Sequence, residues 1–210
     1  MSIVVIGGHS RNVGKTSVVA GLISALPELN WTAMKITQYG HGVCSANGAP
    51  CDCATADHAW AISEEKDRSG ETDTSRFLVA GAKRVWWVRT EQGRLAEAMP
   101  AVRQRLEGAG NVIVESNSVL KFLRPDLYLT VLDPANEDFK NSAREFLDQA
   151  SGVIIHAADQ TAWQGVSLKP VVGKTMFRIS PPPYVTAEIV EFVRARLAAA
   201  VVGGSGSCMY

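Results

Sequence analysis

The chain has 210 residues, 46% of them hydrophobic and 20% charged, with 21 basic side chains balancing 21 acidic ones. That length buries one substantial core without staples, and zero net charge argues against a groove that tracks nucleic acid. No apolar run approaches the ~20 residues of a membrane span, and the first residues, MSIVVIGG, lack the basic start and long apolar stretch of a secretory signal, so the expectation is a soluble cytoplasmic protein.

Predicted elements alternate in type. Ile3–Ile6 is a continuous β-branched run, as in a strand buried on both faces. A helix follows from Lys15 to Leu26, with Val18, Val19, Leu22, Ile23 and Leu26 on one side. Trp31–Thr37 reads as a second strand. Residues 38–71 break the rhythm with Gly, Cys, Asp and Ser, leaving a short helical candidate near Ala54–Glu65. Asp73–Gly81 is predicted as a short helix that Gly81 stops.

Alternation then resumes with strand Val85–Val88 and a helix carrying Leu95, Met99, Val102 and Leu106. Strands are predicted at Val112–Glu115, Leu127–Leu132, Val153–His156 and Met176–Ile179. Helices are predicted at Phe139–Ala150 and, after Pro181–Pro183, at Ala187–Ala200. Alternating strands and helices imply crossover units and a mostly parallel sheet covered on both faces. The expected architecture is one doubly wound α/β domain over 1–202, with an irregular insertion at 38–71 and a linker-like tail at 203–210.

The strongest chemical signal is GGHSRNVGKTS, Gly7–Ser17, between the first strand and first helix. Backbone N–H groups across Gly8, His9, Ser10, Arg11, Asn12, Val13, Gly14, Lys15, Thr16 and Ser17 would cradle an anion. Lys15 would face the β- and γ-phosphates of GTP or ATP, and the Thr16 hydroxyl would face Mg²⁺. The spacing departs from the standard phosphate loop, because the first required glycine falls on His9. Glu115 ends an apolar strand, where a carboxylate can complement Thr16 as a Mg²⁺ partner. Lys35, near the end of the second strand, is either a γ-phosphate or substrate contact or a solvated lysine.

Cys44, Cys51 and Cys53 cluster in the insertion, with His41 before them and His58 after. Thiolates with an imidazole suit Zn²⁺, and soft sulfur also suits an iron–sulfur cluster. The competing reading is a set of free thiols. Asp52 and Asp57 lie in the same stretch and could instead approach Mg²⁺.

Asn12-Val13-Gly14-Lys15-Thr16, the strand ending Met34-Lys35-Ile36-Thr37, and Asp73-Thr74-Ser75-Arg76 before Ala80-Gly81-Ala82 have a familiar arrangement. Together they resemble the molybdopterin-guanine dinucleotide biosynthesis protein B family over residues 3–90. More broadly they resemble the SIMIBI class of phosphate-loop proteins, which includes dethiobiotin synthetase. The resemblance implies Mg²⁺-dependent GTP or ATP binding, slow NTP hydrolysis, homodimerisation, and service to metallocofactor assembly beside a biosynthetic protein partner. Asp159 stands where GTP-binding relatives carry the last residue of N-K-x-D, which favours guanine, although an ordinary turn aspartate fits equally. The cysteine insertion and Glu115-Ser116 in place of the usual Glu-Gly depart from the family pattern. Two further readings stay open: an ATP-dependent ligase or kinase similar to dethiobiotin synthetase, with Lys35 orienting a substrate carboxylate, and a nucleotide-responsive metal-binding regulatory module.

Overall fold

The computed structural model describes residues 1–39, 59–158 and 163–204, with the side chains of 201–204 left out of the description. In chain order the elements are β1 (Ser2–Gly8), α1 (Lys15–Ala25), β2 (Thr32–Tyr39), β3 (Trp60–Glu64), α2 (Asp73–Val79) and β4 (Arg84–Glu91). There follow α3 (Leu95–Leu106), β5 (Asn111–Glu115), β6 (Leu127–Leu132), α4 (Asn141–Phe146), β7 (Gly152–His156), β8 (Thr175–Ile179) and α5 (Ala187–Gly204).

The strands make one eight-stranded sheet in the order β3-β4-β2-β5-β1-β6-β7-β8. Every pairing is parallel except that of β3 with β4. This is the doubly wound α/β architecture that the alternating pattern predicts. β1 lies between β5 and β6, so the winding reverses direction there. In open α/β sheets that reversal leaves a crevice beyond the strands' carboxyl ends, where ligands bind.

Strand side chains alternate between faces, and the core divides accordingly. Val4 and Ile6 of β1 pack under α1, α2 and α5, with Val18, Leu22, Phe77 and Val193 in the same cluster. Val5 points to the other face and joins Leu95, Met99, Val102 and Leu106 of α3. Those α3 positions recur at helical spacing, which is why that helix was legible. On α1, Val18, Val19, Leu22 and Ile23 are buried, each worth roughly 1.5–3 kcal/mol of burial. A capping box starts α2: Thr72 accepts the Ser75 N–H, and the Ser75 hydroxyl accepts the Thr72 N–H.

Three expectations need correction. Within Ala54–Glu65, residues Trp60–Glu64 form an antiparallel edge strand, not a helix. Trp60 and Ile62 both turn onto the α3 cluster, a period-two pattern too short to stand out in sequence. The helix predicted at Phe139–Ala150 spans only Asn141–Phe146, followed by a 3₁₀ turn at Leu147–Gln149. The closing helix runs beyond Ala200 to Gly204, past the expected start of the tail. Among the described residues, no helix is long and apolar enough to cross a membrane.

The sheet's upper edge is stepped. β2 pairs with β5 only as far as Lys35 opposite Glu115. Its pairing with β4 continues to Tyr39 opposite Glu91.

Candidate functional site

The segment Gly7–Ser17 leaves the sheet at the reversal point and enters α1. Gly14 precedes the helix with φ 92°, a left-handed conformation natural to glycine. The Tyr184 ring lies against it, so that a methyl group at Gly14 would sit 2.1 Å from a ring carbon. Asn12 also has a positive φ of 57°, a conformation asparagine tolerates. Val13 is fully buried beneath the loop, whereas Arg11 and Asn12 are exposed.

Gly8 is gripped by a residue that the sequence reading did not single out. Asn117 accepts the Gly8 N–H at 2.9 Å and donates to the Gly8 carbonyl at 2.8 Å. Its amide oxygen would lie 2.1 Å from a methyl group on Gly7, where the Tyr128 hydroxyl is also only 2.8 Å away. Gly7→Ala is therefore expected to displace Asn117 and to destabilise the fold by about 1–3 kcal/mol through overpacking. Urea unfolding of the variant beside the parent checks this; an unchanged midpoint would contradict the contact.

His9, at the position of the missing loop glycine, is fully buried. Its Nδ1 donates to the Asp138 carbonyl at 2.7 Å, and its Nε2 accepts the Asp133 N–H at 3.0 Å. The ring is therefore a neutral strut, and burial holds its pKa below the ordinary value. The Ser10 hydroxyl donates to Asp138 Oδ2 at 2.6 Å. The side chains of His9 and Ser10 thus brace the 133–138 segment against the loop.

Lys15, Thr16, Lys35 and Glu115 come together beyond β1 and at the carboxyl end of β5, with Lys35 lying midway along β2 rather than near its end as expected, because β2 runs four residues past its pairing with Glu115. Thr16 Oγ1 donates to Glu115 Oε2 at 2.8 Å. Lys35 Nζ reaches Glu115 Oε1 at 3.0 Å and Asp73 Oδ2 at 2.5 Å. Glu115 is only 6% exposed there, while Asp73, the first residue of α2, is 48% exposed. Lys15 Nζ donates to the Ser10 carbonyl. Burial lowers its pKa to about 8, and the Lys140 and Lys35 ammonium groups push the same way against Glu115 and Asp73. Burial acts on Lys35 too, but Glu115 and Asp73 outweigh it and hold its pKa above the ordinary value. Arg76 of α2 donates to the Ser17 hydroxyl at 3.1 Å.

Asp73 and Arg76 were legible only as parts of one motif, and Asn117 and Tyr184 carried no spacing signal. Asp159 and the proposed soft-metal set Cys44, Cys51, Cys53, His41 and His58 lie outside the described residues, as do Asp52 and Asp57. Among the described residues, no three His, Cys, Asp or Glu side chains form a cluster able to hold a metal ion.

Fold and site together define a doubly wound α/β domain with a phosphate-loop type of strand–loop–helix unit at its reversal point. Neither a protein-family profile nor a curated protein sequence matches the chain. Solved structures similar to it include LpxK from Aquifex aeolicus in complex with ATP, at 15% identity and TM-score 0.48, covering 85% of this chain and 53% of that one. This chain thus spans about half the length of LpxK. HypB from Helicobacter pylori in complex with nickel is similar at 13% identity and TM-score 0.48, covering 99% and 90% of the two chains. MobB of Bacillus subtilis is similar at 16% identity and TM-score 0.42, covering 93% and 98%.

Proposed function

We propose that the chain is a Mg²⁺-dependent nucleoside triphosphate-binding protein that hydrolyses its nucleotide slowly. The observation that carries this reading is the junction of Lys15 and Thr16 with Glu115 at the head of α1. There a helix start, a lysine and a hydroxyl–carboxylate pair 2.8 Å apart face the crevice of the sheet. Loop N–H groups and Lys15 would bind the phosphates, because amides at a helix start and an ammonium supply positive potential without rearrangement.

The hard oxygens of Thr16 and Glu115 fit Mg²⁺, which prefers oxygen and keeps several waters. When bound, the ion would offset the phosphates' negative charge. Lys35, now held by Glu115 and Asp73, would orient the terminal phosphate or an acceptor anion. Catalysis by such a site comes from positioning and charge, with no covalent intermediate. Service to metallocofactor assembly as a homodimer, with GTP or ATP as the nucleotide, rests on the motif resemblance.

The test is equilibrium binding of the magnesium complexes of GMPPNP and AMPPNP to the full chain and to Lys15→Ala. The expected result is binding by the parent and at least a hundredfold loss in the variant, of the order of 3 kcal/mol. Equal affinities would overturn the assignment.

A further inference from the structure

The phosphate loop lacks a glycine where its pattern requires one, and His9 fills the place with a buried ring. What that ring holds is the segment from Asp133 to Lys140. His9 bonds the main chain of Asp133 and Asp138 through its two ring nitrogens, at 3.0 and 2.7 Å. It packs 5.0 Å from the Phe139 ring and 5.0 Å from the Trp163 ring. Its own carbonyl accepts the Lys140 N–H at 2.9 Å. Trp163 in turn donates to the Asn136 carbonyl at 2.7 Å. The segment after β6 is thereby fixed along the first half of the phosphate loop, with Lys140 at its end.

The charges of Arg11 and Lys15 both lie within electrostatic reach of Lys140. Among the described residues, none of them has a carboxylate within ion-pair distance. The carboxylate of Asp138 is engaged by Ser10. Lys140 is half-buried, and burial together with the Arg11 charge lowers its pKa against the opposing charge of Asp138; Lys140 likewise depresses Lys15. Asp138 near Lys140, and Glu115 and Asp73 near Lys15, offset only part of this repulsion, and a phosphate placed among the three cations would be attracted by each of them.

We propose that Lys140 is a phosphate-binding residue, a cation added to the loop's own lysine and brought there by the segment that His9 anchors. This rests on the nucleotide-binding reading above and adds a residue to it. Loop amides at the helix start serve the α- and β-phosphates. Lys140 stands at the other end of the loop, beside His9, so its contact is with the terminal phosphate. It distinguishes a nucleoside triphosphate from a diphosphate.

The experiment compares parent, Lys140→Met and Lys140→Arg, all as the full chain, with the magnesium complexes of GMPPNP, AMPPNP, GDP and ADP as probes. Lys140→Met is expected to weaken the triphosphate analogues about tenfold while changing diphosphate affinity less than twofold. Lys140→Arg is expected to recover most of the loss, since it keeps the charge. An equal loss for both classes, or no loss, would overturn the role given to Lys140. Failure of the parent to bind any of the probes would instead overturn the underlying reading, and the proposal with it.

Discussion

Raising the pH from 8 to 10 is expected to weaken triphosphate binding by about fiftyfold. The argument starts from Lys15, whose burial lowers its pKa to about 8. Only its protonated form offers a charge to phosphate, and a bound polyanion favours that form, so the pKa rises in the complex. Above pH 8 the free protein must take up a proton to bind, at about tenfold in affinity per pH unit. Below 8 the profile is flat from this group. AMPPNP is the suitable probe, because its base loses no proton in this range.

Calorimetry in buffers of different ionisation enthalpy gives a second readout, approaching one proton taken up per nucleotide at pH 9 or above. A flat affinity from 8 to 10 would show that Lys15 keeps an ordinary lysine pKa. The sign on folding is opposite. Between about 8 and the unfolded value near 10.5, the unfolded chain binds the extra proton, so this group's contribution to stability rises with pH.

Replacing Glu115 by alanine is expected to destabilise the fold by about 2 kcal/mol at pH 7. Glu115 is 6% exposed and Lys35 17% exposed, and the carboxylate also accepts the Thr16 hydroxyl. Removing one member of a buried pair costs about 3–5 kcal/mol because the partner is left uncompensated. Here Asp73, 48% exposed, retains Lys35, which reduces the effect. Glu115→Gln is expected to cost less than Glu115→Ala, since the amide oxygen still accepts from one of the two donors, Thr16 and Lys35, that the two carboxylate oxygens now serve.

The pH window follows from Lys35, whose folded pKa is raised. Its contribution is fully present below the unfolded lysine value near 10.5 and is lost only as pH climbs through the folded value. Urea unfolding of both variants at pH 7 checks the ranking. Equal stability of parent and Glu115→Ala would show that the pair is energetically idle.

Most of the fold was legible because its strands and helices carry their own periodicity. The continuous apolar run of β1 and the i, i+3, i+4 stripe of α3 each announce an element without reference to the rest of the chain. β3 was not, since five residues hold too few turns of a pattern to separate strand from helix. The heart of the site was readable for a related reason: Lys15, Thr16 and Glu115 sit at element ends that local sequence defines.

Asn117 and the bracing role of His9 were not readable. Asn117 meets Gly8 across 109 positions, and His9 meets Asp133 and Asp138 across 124 and 129. Only the folded sheet brings such partners together. His9 was visible merely as an absent glycine, and nothing in its neighbours announced a buried ring.

The staggered rim of the sheet has a consequence for access. β2 and β4 climb four residues beyond the level of Lys35, roughly 13 Å of extended chain. They form a parapet of peptide ladder along one flank, with the lysine–carboxylate pair at its foot. Main chain sets the height of that wall, and no exchange of side chains lowers it. In the nucleotide site proposed above, a second molecule meeting the terminal phosphate would come over the loop from the opposite flank, and evolution of what it admits has that side to work on.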